Sequence, residues 1–130
     1  MELIIEHRPS YSLAVAKLQP NERIRAEAGA MVSMSEGVTI ETKAEGGILK
    51  SLGRAVLGGE SFFQNFFVAP AQGGEVTLAP ELPGDMMMIE MKGNKLMIQA
   101  GSYVASENGV ELTAKLSVKA LMSAPKPIYR

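Results

Sequence analysis

Internal repetition is the feature that most limits how this chain can fold. The stretch Ala28-Gly29-Ala30-Met31-Val32 through Gly37-Val38-Thr39-Ile40-Glu41-Thr42-Lys43 returns as Ala100-Gly101-Ser102-Tyr103-Val104 through Gly109-Val110-Glu111-Leu112-Thr113-Ala114-Lys115. Every residue of the second copy stands 72 positions after its counterpart, without a gap, over 16 positions. Ala, Gly, Val, Gly, Val and Lys are identical, and Ile40 matches Leu112. A fixed offset of this kind means one structural unit built twice. The two units are expected at residues 1–72 and 73–130, packed as one body, with the second incomplete. The offset puts the second copy of Gly58-Gly59 at positions 130 and 131. The chain is therefore expected to stop where the aromatic strand of the second unit begins.

Short strands separated by turns fill most of the sequence. From Tyr11 to Leu18 the residues alternate, Leu13, Val15 and Lys17 on one side and Ser12, Ala14, Ala16 and Leu18 on the other. A period of two puts alternate side chains on opposite faces of a sheet. Val38-Thr39-Ile40-Glu41 and its copy Val110-Glu111-Leu112-Thr113 alternate in the same way. Pro20-Asn21 marks a turn, and Pro83-Gly84 suits the centre of a type II turn. Lys92-Gly93-Asn94-Lys95 reads as a hairpin joining residues 86–91 to 96–100. Gly37 and Gly109 sit at equivalent hairpin-like positions, and Gly29 and Gly101 at equivalent backbone bends. Closely spaced strands of this kind predict an all-β sandwich or jelly roll. The expected core is Leu13, Val15, Ile24, Val38, Ile40, Phe63, Met87, Leu96, Ile98, Val110 and Leu112.

Two segments depart from this pattern. Ile48, Leu49, Leu52, Ala55 and Val56 recur at helical spacing between glycine pairs, which predicts one short amphipathic helix near 48–57. All four phenylalanines lie in Phe62-Phe63-Gln64-Asn65-Phe66-Phe67. As a strand, this would be apolar on both faces, with Phe63 and Phe67 opposite Phe62 and Phe66. Such a strand needs cover on both sides, by the core and by a helix or another subunit. Phe62, Phe63, Phe66 and Phe67 are therefore the expected interface.

Composition removes several function classes. There are 13 basic and 14 acidic residues and no cysteine among 130. Balanced charge argues against a general binder of phosphate backbones. Without cysteine there is no disulfide, no thiolate nucleophile and no Cys-type zinc site. No targeting signal and no apolar run near the roughly 20 residues of a spanning helix is seen, and a cytoplasmic location is expected.

At Gly58-Gly59-Glu60-Ser61-Phe62-Phe63-Gln64-Asn65 the sequence resembles a family of bacterial proteins. They are related to the mitochondrial protein called altered inheritance of mitochondria twenty-four. Arg8-Pro9-Ser10-Tyr11, Glu27-Ala28-Gly29-Ala30-Met31, Leu78-Ala79-Pro80 and Gln99-Ala100-Gly101-Ser102-Tyr103 carry the same resemblance, which covers roughly residues 1 to 115. It implies a fold similar to the tryptophan RNA-binding attenuation protein, made of repeated antiparallel units. It also implies a trimer or other cyclic assembly.

No set of residues converges on a reaction. His7 is the lone histidine, and a triad or metal site needs partners for it. Glu60-Ser61 lacks a base placed nearby by sequence. The glycine pairs lack the spacing of a phosphate loop or dinucleotide fingerprint. Met86, Met87, Met88 and Met91 offer thioethers of the kind that bind Cu(I), but neighbours on a strand point to opposite faces, and core filling is the expectation. Lys50 and Arg54 give only a weak case for contact with a membrane surface. Arg23, Arg25, Lys43 and Lys115 are too dispersed for nucleic acid. The expectation is a non-enzymatic, self-associating scaffold or interaction module, without cofactor or metal. A small-ligand binder, for a metabolite or amino acid, is the alternative.

Overall fold

Alternating apolar residues and regularly spaced turns leave the chain one economical arrangement, strands stacked in antiparallel sheets. A computed structural model describes residues 1–44, 63–99, 101–114 and 127–129. Among them run β1 (Glu2–Glu6), β2 (Leu13–Leu18), β3 (Arg23–Glu27), β4 (Met31–Met34), β5 (Thr39–Ala44) and β6 (Phe63–Val68). There follow β7 (Gly74–Leu78), β8 (Met97–Gln99), β9 (Ala105–Glu107), β10 (Thr113–Ala114) and β11 (Pro127–Tyr129). The order β1-β2-β7-β4 makes one four-stranded sheet and β5-β6-β3-β9 another, with β10-β11-β8 as a three-stranded sheet. All pairings are antiparallel. The helix expected near 48–57 lies outside the described residues.

The core lies between the two four-stranded sheets. Ala14, Ala16 and Leu18 on β2, with Val76 and Leu78 on β7, meet Ile24 and Ala26 on β3 and Phe67 on β6. Pairing Ala14 with Leu78 and Ala16 with Val76 alternates small and large side chains across neighbouring strands, as close packing requires. The sequence reading chose the wrong side of β2 as the core face. Leu13 is only half-buried and Val15 is buried outside the main cluster. The mistake has a physical source, because a face of serine and alanines looks unremarkable until a Phe67 or a Leu78 fills the space it leaves.

Other expected core positions also move. Ile40 lies on β5 at the sheet edge and stays 42% exposed. Met87 is 72% exposed, and Leu96, Ile98, Val110 and Leu112 are half-buried. Ile24 and Val38 are buried as expected.

The repeated segments turn alike. Ala30 N–H donates to Glu27 O at 3.1 Å, and Ser102 N–H, 72 residues on, donates to Gln99 O at 3.0 Å. Val38 N–H donates to Ser35 O at 3.3 Å and Val110 N–H to Glu107 O at 3.1 Å. Strand order matches as well, since β10-β11-β8 follows the same sequence of roles as β5-β6-β3. Ala26 and Thr42 both oppose Asn65, and Ile98 and Ala114, each 72 residues later, both oppose Ile128. β11 thus stands where the sequence reading expected a missing strand. The fixed offset fails there because the residues leading from β10 to β11 are fewer than those leading from β5 to β6.

Candidate interaction surface

The aromatic strand, the expected interface, turns out to be interior. β6 runs between β5 and β3, and its adjacent Phe66 and Phe67, which point to opposite faces, are both covered. Phe67 is fully buried in the core and Phe66 is 7% exposed. The cover on Phe66 is cationic, with the guanidinium carbons of Arg23 and Arg25 lying 4.9 and 5.0 Å from its ring centroid. A guanidinium over an aromatic face is held by the ring quadrupole while its stem shields the ring from water. Arg23 also donates to Glu41 Oε2 at 2.6 Å. The buried Tyr103 hydroxyl donates to Arg25 O at 3.3 Å and shares a hydrogen with Ser106 Oγ at 2.8 Å. Phe66 and Phe67 are therefore corrected from interface to interior. Phe62 lies outside the described residues, and Phe63 opens β6. No sequence signal named the covering side chain, because Arg23 and Arg25 meet Phe66 only once β3 has paired with β6.

The predicted turn glycines adopt their bends. Gly29, Gly37 and Gly101 have φ of 88°, 89° and 86°, the left-handed region that favours glycine. Nothing lies within 4 Å of a Cβ built on Gly29 or Gly101, so backbone conformation rather than space is the constraint there. Gly109 sits in its turn without a left-handed φ. Gly84 likewise lacks the positive φ of a type II turn. It instead accepts a hydrogen bond from Ser12 N–H at 3.0 Å.

That contact begins a clasp. Arg8 donates through Nε and Nη2 to the two carboxylate oxygens of Asp85 at 2.8 and 2.9 Å. Ser12 Oγ and Met86 N–H each donate to Asp85 Oδ1 at 2.9 Å. The Arg8 hydrogen bonds hold the Asp85 carboxyl well below the usual carboxylate range, with Ser12 and Met86 adding to them against some desolvation. The same bonds, and then the charge of Asp85, raise Arg8 above its ordinary value. A bidentate pair of this kind fixes direction as well as distance.

The clasp delivers the chain into residues 86–91, which the sequence reading treated as a core-filling strand. No strand forms there. Met86 packs against the core, after which Met87 and Met88 are 72% and 64% exposed, and Ile89 is exposed as well. At the far end Lys92 N–H donates to the Asn94 side chain at 2.9 Å, in a bend through Gly93 at φ 77°. β8 then opens on Met97, 58% exposed. Exposed thioethers and one isoleucine thus lie between the Asp85 clasp and β8, which pairs with β11, with the exposed charges Glu90, Lys92 and Lys95 among them. The sequence signal was available, because residues 86–89 carry no polar residue to alternate with the apolar ones. Alternation is what a half-buried strand requires.

The remaining candidates stay apart. His7 is exposed, and its Nε2 stands 3.9 Å from Glu6 Oε2. Among the described residues, no three of His, Cys, Asp and Glu gather as a metal site, and no helix is long and apolar enough to cross a membrane. Lys50, Arg54, Glu60 and Ser61 lie outside the described residues.

With this geometry in place, known proteins supply a family. The family model described as mitochondrial biogenesis AIM24 matches residues 4–125. A protein of Streptococcus pyogenes serotype M6, described only as uncharacterised, is 24% identical over 117 residues, covering 85% of this chain and 47% of its own. The crystal structure of a Streptococcus pyogenes protein superposes with a TM-score of 0.76 at 21% identity, over 98% of this chain and 58% of that one. This chain spans about half the length of these relatives. It belongs to the mitochondrial biogenesis AIM24 family.

Proposed function

We propose that this AIM24-family β-sandwich is a non-enzymatic interaction module that assembles with copies of itself through the methionine ribbon at residues 87–89 and 97. The observation that carries the reading is the exposure of Met87, Met88, Ile89 and Met97 on a segment that runs from the Asp85 clasp to the paired strand β8. Exposed apolar side chains gathered in one segment mark an interaction surface. Methionine is enriched at the cores of interfaces, where its unbranched side chain adapts to the opposing surface. The flanking Glu90, Lys92 and Lys95 supply the polar rim that such surfaces carry. Their mixed sign suits neither a nucleic-acid backbone nor an anionic lipid surface, and neither is part of the proposal. A closed cyclic assembly in the cytoplasm is.

Sedimentation velocity tests the reading. The wild-type chain, 13.9 kDa, is expected to sediment as a multiple of itself. The double variant Met87→Lys/Met88→Lys should sediment as a monomer with an unchanged far-ultraviolet circular dichroism spectrum. A wild-type protein that stays monomeric across concentrations overturns the proposal, and so does a double variant that still assembles.

A further inference from the structure

We infer that Met87, Met88 and Met97 are a modification site, a set of thioethers that accept oxygen from hydrogen peroxide and thereby release the self-association proposed above, on which this inference rests. The methionines divide by their surroundings. Met1, Met31 and Met86 are half-buried against the core cluster, which leaves them less open to an oxidant. Met87, Met88 and Met97 are 72%, 64% and 58% exposed on the folded protomer. Met34, on the edge strand β4, is intermediate at 40%.

The reaction is a two-electron oxygen transfer. The peroxide O–O bond breaks, a sulfur–oxygen bond forms, the thioether is oxidised to sulfoxide, and the peroxide leaves as water. The product replaces a flexible apolar side chain with a polar one, which disrupts methionine-rich interfaces. It is also reversible by methionine sulfoxide reductases, one for each epimer. Three features converge on this site. The side chains are accessible on the protomer, the segment is anchored by the Asp85 clasp before it and by the pairing of β8 with β11 at its end, and no cysteine competes for the oxidant. Oxidation takes the free protomer, and the oxidised protomer no longer docks. Assembly therefore protects its own contact residues, and peroxide draws the equilibrium toward monomers by mass action.

The experiment is a timed peroxide pulse on the intact chain, followed by peptide mass spectrometry and sedimentation. Sulfoxide is expected at Met87, Met88 and Met97 while Met1, Met31 and Met86 remain unmodified, together with loss of the oligomer boundary. Added methionine sulfoxide reductases A and B should restore that boundary. The triple variant Met87→Leu/Met88→Leu/Met97→Leu keeps the surface apolar, and should assemble and resist peroxide. Uniform oxidation of exposed and packed methionines overturns the site. Sulfoxide at all three positions in a protein that still assembles overturns the switch and leaves the self-association reading standing. A wild-type chain that is monomeric before peroxide is added overturns both.

Discussion

Val38 enters the core between the two four-stranded sheets, whereas Val110, its counterpart 72 residues later, is only half-buried. Ile24 on β3 and Phe67 on β6 are buried almost completely, while Ile98 on β8 is half-buried. Yet the turns through Gly29 and Gly101, and those through Gly37 and Gly109, close with the same hydrogen bonds, and the order β10-β11-β8 parallels β5-β6-β3. Local geometry follows from residues within a few positions of one another, so similar residues make a similar turn. Burial is different. It depends on what lies across the sheet, and β3 faces β2 and β7 across the core cluster.

The sharpest way to break the comparison is to truncate one large side chain in each of the two sheets. Phe67→Ala removes a fully buried ring and should cost about 3–5 kcal/mol. Ile98→Ala removes a half-buried side chain and should cost about 1–2 kcal/mol, well under the loss for a fully buried isoleucine. Equilibrium urea denaturation of both variants gives the two values. Equal losses would mean that β8 is as fully covered in solution as β6.

A smaller effect tests what the two copies share. Gly29 and Gly101 adopt nearly the same left-handed φ with open space around a built Cβ. A Cβ at either position meets no atom within 4 Å, so the penalty for valine is chiefly conformational, about 1–2 kcal/mol for an L-residue held left-handed. Gly29→Val and Gly101→Val should therefore lose similar stability in spite of their different surroundings. Thermal melts that lower one and spare the other would show that the turns are alike in outline only.

Several elements were legible in the sequence because their causes are local. The all-β pattern and the left-handed bends at Gly29, Gly37 and Gly101 each rest on residues close together in the chain. What escaped depends on pairing across distance. Ala14 and Ala16 became core residues because Phe67, Val76 and Leu78 occupy the space beside them. Phe66 stayed inside because two arginines from β3 cover it. The exposed methionine ribbon was misread because a run of apolar residues looks like core until its backbone is seen to lack a strand partner. Of the surface proposed for function, only residue type was legible, and its exposure was not.

The smallest effect lies where the loop after β1 meets the segment after β7. Arg8 and Ser12 reach Asp85, whose carboxyl also accepts from Met86 N–H. Its folded value lies below the ordinary 3.8. A group lowered on folding binds fewer protons in the native state, so its contribution is present above the unfolded value and lost as pH falls through the folded one. The clasp is exposed at both ends, and salt screens pairs of this kind. Asp85→Asn should therefore show a small stability deficit that is constant between pH 7 and pH 5, shrinks progressively below about pH 4, and is reduced by 1 M salt. Urea midpoints of wild type and variant at each pH measure the difference. A deficit that persists unchanged into the acid range would assign the role of Asp85 to its neutral hydrogen bonds with Ser12 and Met86, and the clasp would then be independent of charge.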